Sequence, residues 1–119
     1  MNRVLVIEDD EDLRACICEE LRNLGNVVEE AGNGKEGLEA LSKTTFDLVI
    51  SDCQMPVMSG VEFLKIAKTL YPDLKVIILT GYSPFTKNQI LNDFKADGFF
   101  EKPVQDLSLL LSYLPKKTA

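Results

Sequence analysis

The residues of this chain that could do chemistry fall at four places: Glu8-Asp9, Asp52, Thr80 and Lys102. Each closes or closely follows a short apolar, β-rich run, at Arg3 to Ile7, Leu48 to Ile50, Val76 to Leu79 and Gly98 to Glu101. Carboxylates gathered in a partly desolvated cleft repel one another, which raises pKa values or recruits a cation. Oxygen donors without nitrogen or sulfur favour a hard ion, Mg²⁺ (or Mn²⁺), which keeps several waters and also takes phosphate oxygens. A lysine and a hydroxyl beside such an ion would meet the charge that develops on the equatorial oxygens in phosphoryl transfer. With Glu8 and Asp9 free to hold the metal, Asp52 is the natural nucleophile.

These residues can meet only if the strands that carry them lie side by side. Arg3 to Ile7 is apolar on both faces, as suits a strand covered on both sides. Leu13, Ile17, Leu21 and Leu24 then recur at helical spacing, with Cys16 on the same side, and Gly25 stops the helix. Val27-Val28 is a weaker strand. Asn33-Gly34 is a turn, and Lys35 to Ser42 a short helix with Leu38 and Leu41 inward. The strand ending at Asp52 breaks at Pro56, and Val61 to Leu70 follows as a helix burying Phe63, Leu64 and Ala67. After Val76 to Leu79 the helical signal over Ser83 to Lys95 is poor, weakened by Pro84, Asn88 and Asn92, although a helix is expected there. Gly98 to Glu101 is a fifth strand. Val104 to Leu114 is a final helix that buries Leu107, Leu110, Leu111 and Leu114 and leaves Leu109 and Tyr113 outward.

Five strand–helix units with short connections imply one doubly wound α/β domain, a parallel sheet with right-handed crossovers and helices on both faces. Ligands in such sheets bind beyond the carboxyl ends of the strands, where all four chemical positions fall.

Composition narrows the function further. The chain has 119 residues, 45% hydrophobic and 27% charged, an ordinary globular balance for one domain. A net charge of −6 speaks against nucleic-acid binding, which demands clustered Lys and Arg. Its apolar runs are too short to span a bilayer, and the start lacks the core of a secretory signal; a soluble, cytoplasmic protein is expected. Three scattered cysteines with no histidine argue against a zinc site and remove any Ser–His or Cys–His pair.

Taken in order, Glu8-Asp9, Asp52-Cys53-Gln54-Met55-Pro56 with Gly60, Thr80-Gly81 and Lys102-Pro103 resemble the motifs of response-regulator receiver domains. The resemblance covers essentially the whole chain, read as one receiver domain over residues 1–119 with a five-stranded (βα)5 flavodoxin-like three-layer sandwich. It implies that Asp52 accepts a phosphoryl group from a phosphohistidine on a sensor histidine kinase or histidine phosphotransfer protein. Asp9 would ligate Mg²⁺ directly, Glu8 largely through water, and the main-chain carbonyl of Gln54 would join Asp52 in the metal shell. Thr80 would bond a phosphoryl oxygen, Lys102 would pair with Asp52, the Lys102–Pro103 bond would be cis, and Phe99 would be the aromatic switch. Signalling would pass through the fourth helix, fifth strand and fifth helix to an output domain, a partner protein or a phosphorylation-dependent homodimer. The protein would then be a switch that catalyses only its own phosphorylation and dephosphorylation. Two rival readings are a degenerate receiver used as an unphosphorylated binding module and an aspartyl-phosphate hydrolase. Gln54 lacks the acid that such hydrolases carry two residues past their nucleophile.

Overall fold

The computed structural model of the chain describes residues 2–104 and 106–114. Five strands, β1 (Arg3–Ile7), β2 (Val27–Ala31), β3 (Leu48–Ser51), β4 (Val76–Thr80) and β5 (Gly98–Glu101), form one parallel sheet in the order β2-β1-β3-β4-β5. Helices α1 (Glu11–Asn23), α2 (Gly34–Lys43) and α3 (Gly60–Leu70) fill the first three crossovers. The central strands β3 and β4 are buried at every position because both faces of the sheet are covered. One core layer packs α2 and α3 on Leu5, Ile7, Val49, Val76 and Ile78; the other packs α1 and the C-terminal segment on Val4, Val6, Ile50 and Ile77. This is the expected doubly wound sandwich. No described helix is long and apolar enough to cross a membrane.

Local signals set the helix ends. Asp10, Asn33 and Ser59 each cap a helix by accepting from the backbone N–H three residues on. Gly25 takes φ +95°, which closes α1 as its type allows. In α1 the buried stripe runs through Ile17, Cys18 and Leu21. Cys16 is exposed and Leu24 is 45% exposed, so the expected side for these two is corrected. Gly37, which costs about 1 kcal/mol of helix propensity against alanine, is explained by the packing. A Cβ there would sit 2.5 Å from Ile7 Cδ1 and 3.1 Å from Phe63 Cε1, both side chains being fully buried.

The last two helices differ from expectation. In place of a helix over Ser83 to Lys95 there is a short π-helical segment, Gln89–Asp93. Ahead of it, side-chain hydroxyls take over the backbone bonding. Thr80 closes on Tyr82, Ser83 on Phe85, and Thr86 and Gln89 bond each other's N–H. The Thr80 and Ser83 bonds compete with helix formation and Pro84 removes a donor, whereas the reciprocal Thr86–Gln89 pair is a capping box at the start of the π-helical segment. The C-terminal segment is a 3₁₀ helix, Leu107–Tyr113, in place of an α-helix over 104–114. With three residues per turn, Leu107, Leu110 and Tyr113 share a face. Tyr113 therefore turns inward, against Gly98 and edge-on to Phe100 at 6.0 Å; of the two residues expected outward, Leu109 is exposed, at 55%.

At the end of the sheet away from Asp52, Asp97 Oδ2 accepts from Lys68 Nζ (2.7 Å) and from the Val76 N–H (2.8 Å). Lys68 also donates to the Leu74 carbonyl (2.6 Å), and the Asp97 N–H to the Val76 carbonyl (2.8 Å).

Candidate functional site

Ladder bonds at the carboxyl ends of the strands bring the site together. The Asp52 N–H donates to the Ile7 carbonyl (3.1 Å), which sets Asp52 beside Glu8. The Lys102 N–H donates to the Thr80 carbonyl (2.9 Å), which sets the lysine beside the hydroxyl. Carboxylate oxygens of Glu8, Asp9 and Asp52 all lie within 4.8 Å of one another. Glu8 is 3% exposed and Asp52 9%, whereas Asp9 faces solvent. Three acidic oxygens from two strand ends, one of them open to water, fit a hard divalent cation that retains waters.

Lys102 supplies the opposing charge. Its Nζ lies 2.5 Å from Glu8 Oε1 and 2.9 Å from Asp52 Oδ2. Those two carboxylates hold the ammonium above its usual range, outweighing the burial that opposes them. Burial pushes Glu8 up from the ordinary carboxylate value, and nearby Asp9 and Asp52 add to the rise, with Lys102 offsetting part of it. The lysine thus makes a crowded, dry carboxylate pair tolerable. The Lys102–Pro103 bond is cis, as expected.

The other oxygen of Asp52 is fixed by its own loop. Oδ1 accepts from the Cys53 N–H (2.6 Å) and the Gln54 N–H (3.4 Å), and the Asp52 carbonyl accepts from Ser51 Oγ (2.9 Å). The loop returns against itself at Gly60, where a Cβ would stand 1.8 Å from the Asp52 carbonyl oxygen. Glycine is required there for close approach. The sequence offers this only as a glycine in a loop. Val57 takes φ +69°, unusual for a β-branched residue, while 76% exposed.

Thr80, 2% exposed, donates to the Tyr82 carbonyl (2.6 Å) and accepts from the Tyr82 N–H (3.2 Å). Phe99 on β5 is partly buried against the α2–α3 layer and lines a cavity with Thr80, Ser83 and Phe85. Asp10 stands apart from the acidic group as the cap of α1. Arg14 donates to the Glu8 carbonyl (2.7 Å) and pairs with Glu30 (3.2 Å), holding the end of β1. Two residues carry more than the sequence shows. Cys53, 1% exposed, donates its thiol to Ser83 Oγ (3.5 Å), and burial raises that thiol.

A family model described as the response regulator receiver domain matches residues 4–114. The chain belongs to the response regulator receiver family. Members are phosphorylation-accepting switches of two-component systems and not turnover enzymes in the usual sense. Sporulation initiation phosphotransferase F of Bacillus subtilis is 29% identical over 119 residues, covering 98% of this chain and 96% of its own. The response regulator TrrA of Thermotoga maritima, solved in complex with Mg(2+)-BeF, superposes with a TM-score of 0.83. It is 33% identical, and the match covers 94% of this chain and 96% of that one. The autoinducer 1 sensor kinase/phosphatase LuxN of Vibrio harveyi is 34% identical over 119 residues, and this receiver chain spans 14% of its length.

Proposed function

We propose that Asp52 accepts a phosphoryl group from a phosphohistidine and that the resulting acyl phosphate resets Thr80 and Phe99. One observation carries this reading: Asp52 is held by both oxygens, with Lys102 on Oδ2 and backbone N–H groups on Oδ1. A buried carboxylate so fixed is oriented for in-line attack. In the transfer an Asp52 oxygen forms a bond to phosphorus, the P–N bond of the donor breaks, and its electron pair stays on the imidazole. The donor must come from a partner, a histidine kinase or histidine phosphotransfer protein, because this chain has no histidine.

Glu8, Asp9, Asp52 and the main-chain carbonyl of Gln54 would hold Mg²⁺, which when bound supplies positive charge to the phosphoryl oxygens. Lys102 neutralises the charge left on Asp52 and follows it onto the phosphate. The role of Thr80 follows from its single proton. Phosphoryl oxygens only accept, so Thr80 must donate to one, and that proton now goes to the Tyr82 carbonyl. Binding the phosphoryl group therefore opens the Thr80–Tyr82 turn and frees the loop beside Phe99. Two existing arrangements change population, and the outer surface of the π-helical segment, β5 and the 3₁₀ helix carries the change to an output domain, a partner or a second copy.

Mg²⁺-dependent labelling by acetyl phosphate tests the assignment. Wild type should incorporate phosphate and Asp52→Asn should not; equal labelling of the two overturns it.

A further inference from the structure

Thr80 and Phe99 are not the only link between Asp52 and the segment after β4. The N–H that bonds Asp52 Oδ1 belongs to Cys53, and the Cys53 thiol donates to Ser83 Oγ at 3.5 Å. The Ser83 hydroxyl donates to the Phe85 carbonyl (2.9 Å) and accepts from the Phe85 N–H (3.0 Å). A hydroxyl has one proton and two lone pairs, so three partners use it completely. Phe85 meets Phe94 edge-on at 4.9 Å, and the Phe94 N–H closes the π-helical segment on the Gln89 carbonyl at 2.9 Å. Lys65 of α3 sits over the Phe94 ring at 4.7 Å.

This chain of contacts runs from the residue beside Asp52 to the far end of the π-helical segment without using Thr80 or Phe99. It also bridges the gap that the Thr80 bond leaves. When Thr80 gives its proton to a phosphoryl oxygen, the loop Gly81-Tyr82-Ser83 loses its hold at the Thr80 end. At the other end it is still tied to Cys53.

We propose that Ser83 is a positioning residue which, through Cys53 and Phe85, couples the Asp52 loop to the π-helical segment. This rests on the phosphoryl-acceptor reading of Asp52. Ser83 touches no reacting atom; it transmits the position of the Asp52 loop. Without it, the two ends of the pathway should respond separately.

The test is the amide spectrum of the full chain, titrated with beryllofluoride and Mg²⁺, with resonances read at Cys53–Gln54 and at Phe85–Phe94. In wild type both groups should shift together. In Ser83→Ala the Cys53–Gln54 shifts should persist while those at Phe85–Phe94 fall. Loss of the thiol–hydroxyl bond, made by a weak donor, corresponds to about a two- to five-fold change in the balance of the two arrangements. Ser83→Thr, which keeps the hydroxyl, should restore the wild-type response, and Cys53→Ala should reproduce the loss. A Phe85–Phe94 response in Ser83→Ala equal to wild type overturns the coupling while leaving the acceptor assignment intact. Failure of wild type to respond at Cys53–Gln54 overturns both.

Discussion

Lys102→Met removes an ammonium and keeps an apolar stem of similar reach, so it isolates the charge. In the folded protein the ammonium lies 2.5 Å from Glu8 and 2.9 Å from Asp52. Breaking a buried ion pair by deleting one partner costs about 3–5 kcal/mol when the other charge is stranded. Here protonation caps the cost. Burial already raises Glu8 above its ordinary value of 4.5, and Lys102 offsets part of that rise, so losing the lysine raises Glu8 further and favours its protonated form. Each pH unit over which Glu8 holds a proton in the variant but not in the wild type adds about 1.4 kcal/mol to the gap. The sign follows from the direction of the shift: a carboxylate raised on folding contributes fully below its unfolded value and loses that contribution as pH rises through the folded one. Lys102, raised on folding, contributes its share throughout this range, below its ordinary 10.5. The stability gap between wild type and variant should therefore widen as pH rises from 5 to 7, by at most about 2.7 kcal/mol for one proton. Urea unfolding of both proteins with chelator present measures it. A gap that stays constant over this range would refute the view that Lys102 chiefly offsets the Glu8 and Asp52 charges.

Two other substitutions probe the frame and the outer surface. Gly60→Ala drives a Cβ to 1.8 Å from the Asp52 carbonyl oxygen and should cost about 3 kcal/mol or more in urea unfolding, because backbone, not a side-chain tip, must move; a loss below about 1 kcal/mol would contradict the packing described. Leu109→Glu, on a residue 55% exposed, should change stability by less than about 0.5 kcal/mol and abolish self-association induced by Mg²⁺ and beryllofluoride in sedimentation; association equal to wild type would remove Leu109 from the docking surface.

The sheet and the gathering of polar residues at its carboxyl end were legible because each depends on a pattern the sequence displays. Buried strands read as unbroken apolar runs, and each runs out onto a polar residue at the same end. Asp10 reads from the sequence as an acid flanking the Glu8-Asp9 pair, and its bond from the Leu13 N–H gives it the role of helix cap that the acidic run alone does not assign. Gly37 and Gly60 answer to atoms more than seven residues away, Ile7 and Asp52, which no local propensity can register. Tyr113 was misplaced because an α-helical period was assumed for a segment that winds three residues to the turn. The stretch after β4 was hardest, since its hydroxyls bond the backbone two or three residues on in place of a regular ladder.

Asp97 has a mechanical consequence. By holding Lys68 and the start of β4 with one carboxylate oxygen, it rivets α3, β4 and β5 at the edge opposite Asp52. A beam clamped at one end deflects most at the other. A displacement of β4 and β5 would therefore fall at their carboxyl ends, where Thr80 and Lys102 meet the acidic group, and not at the base that Asp97 holds.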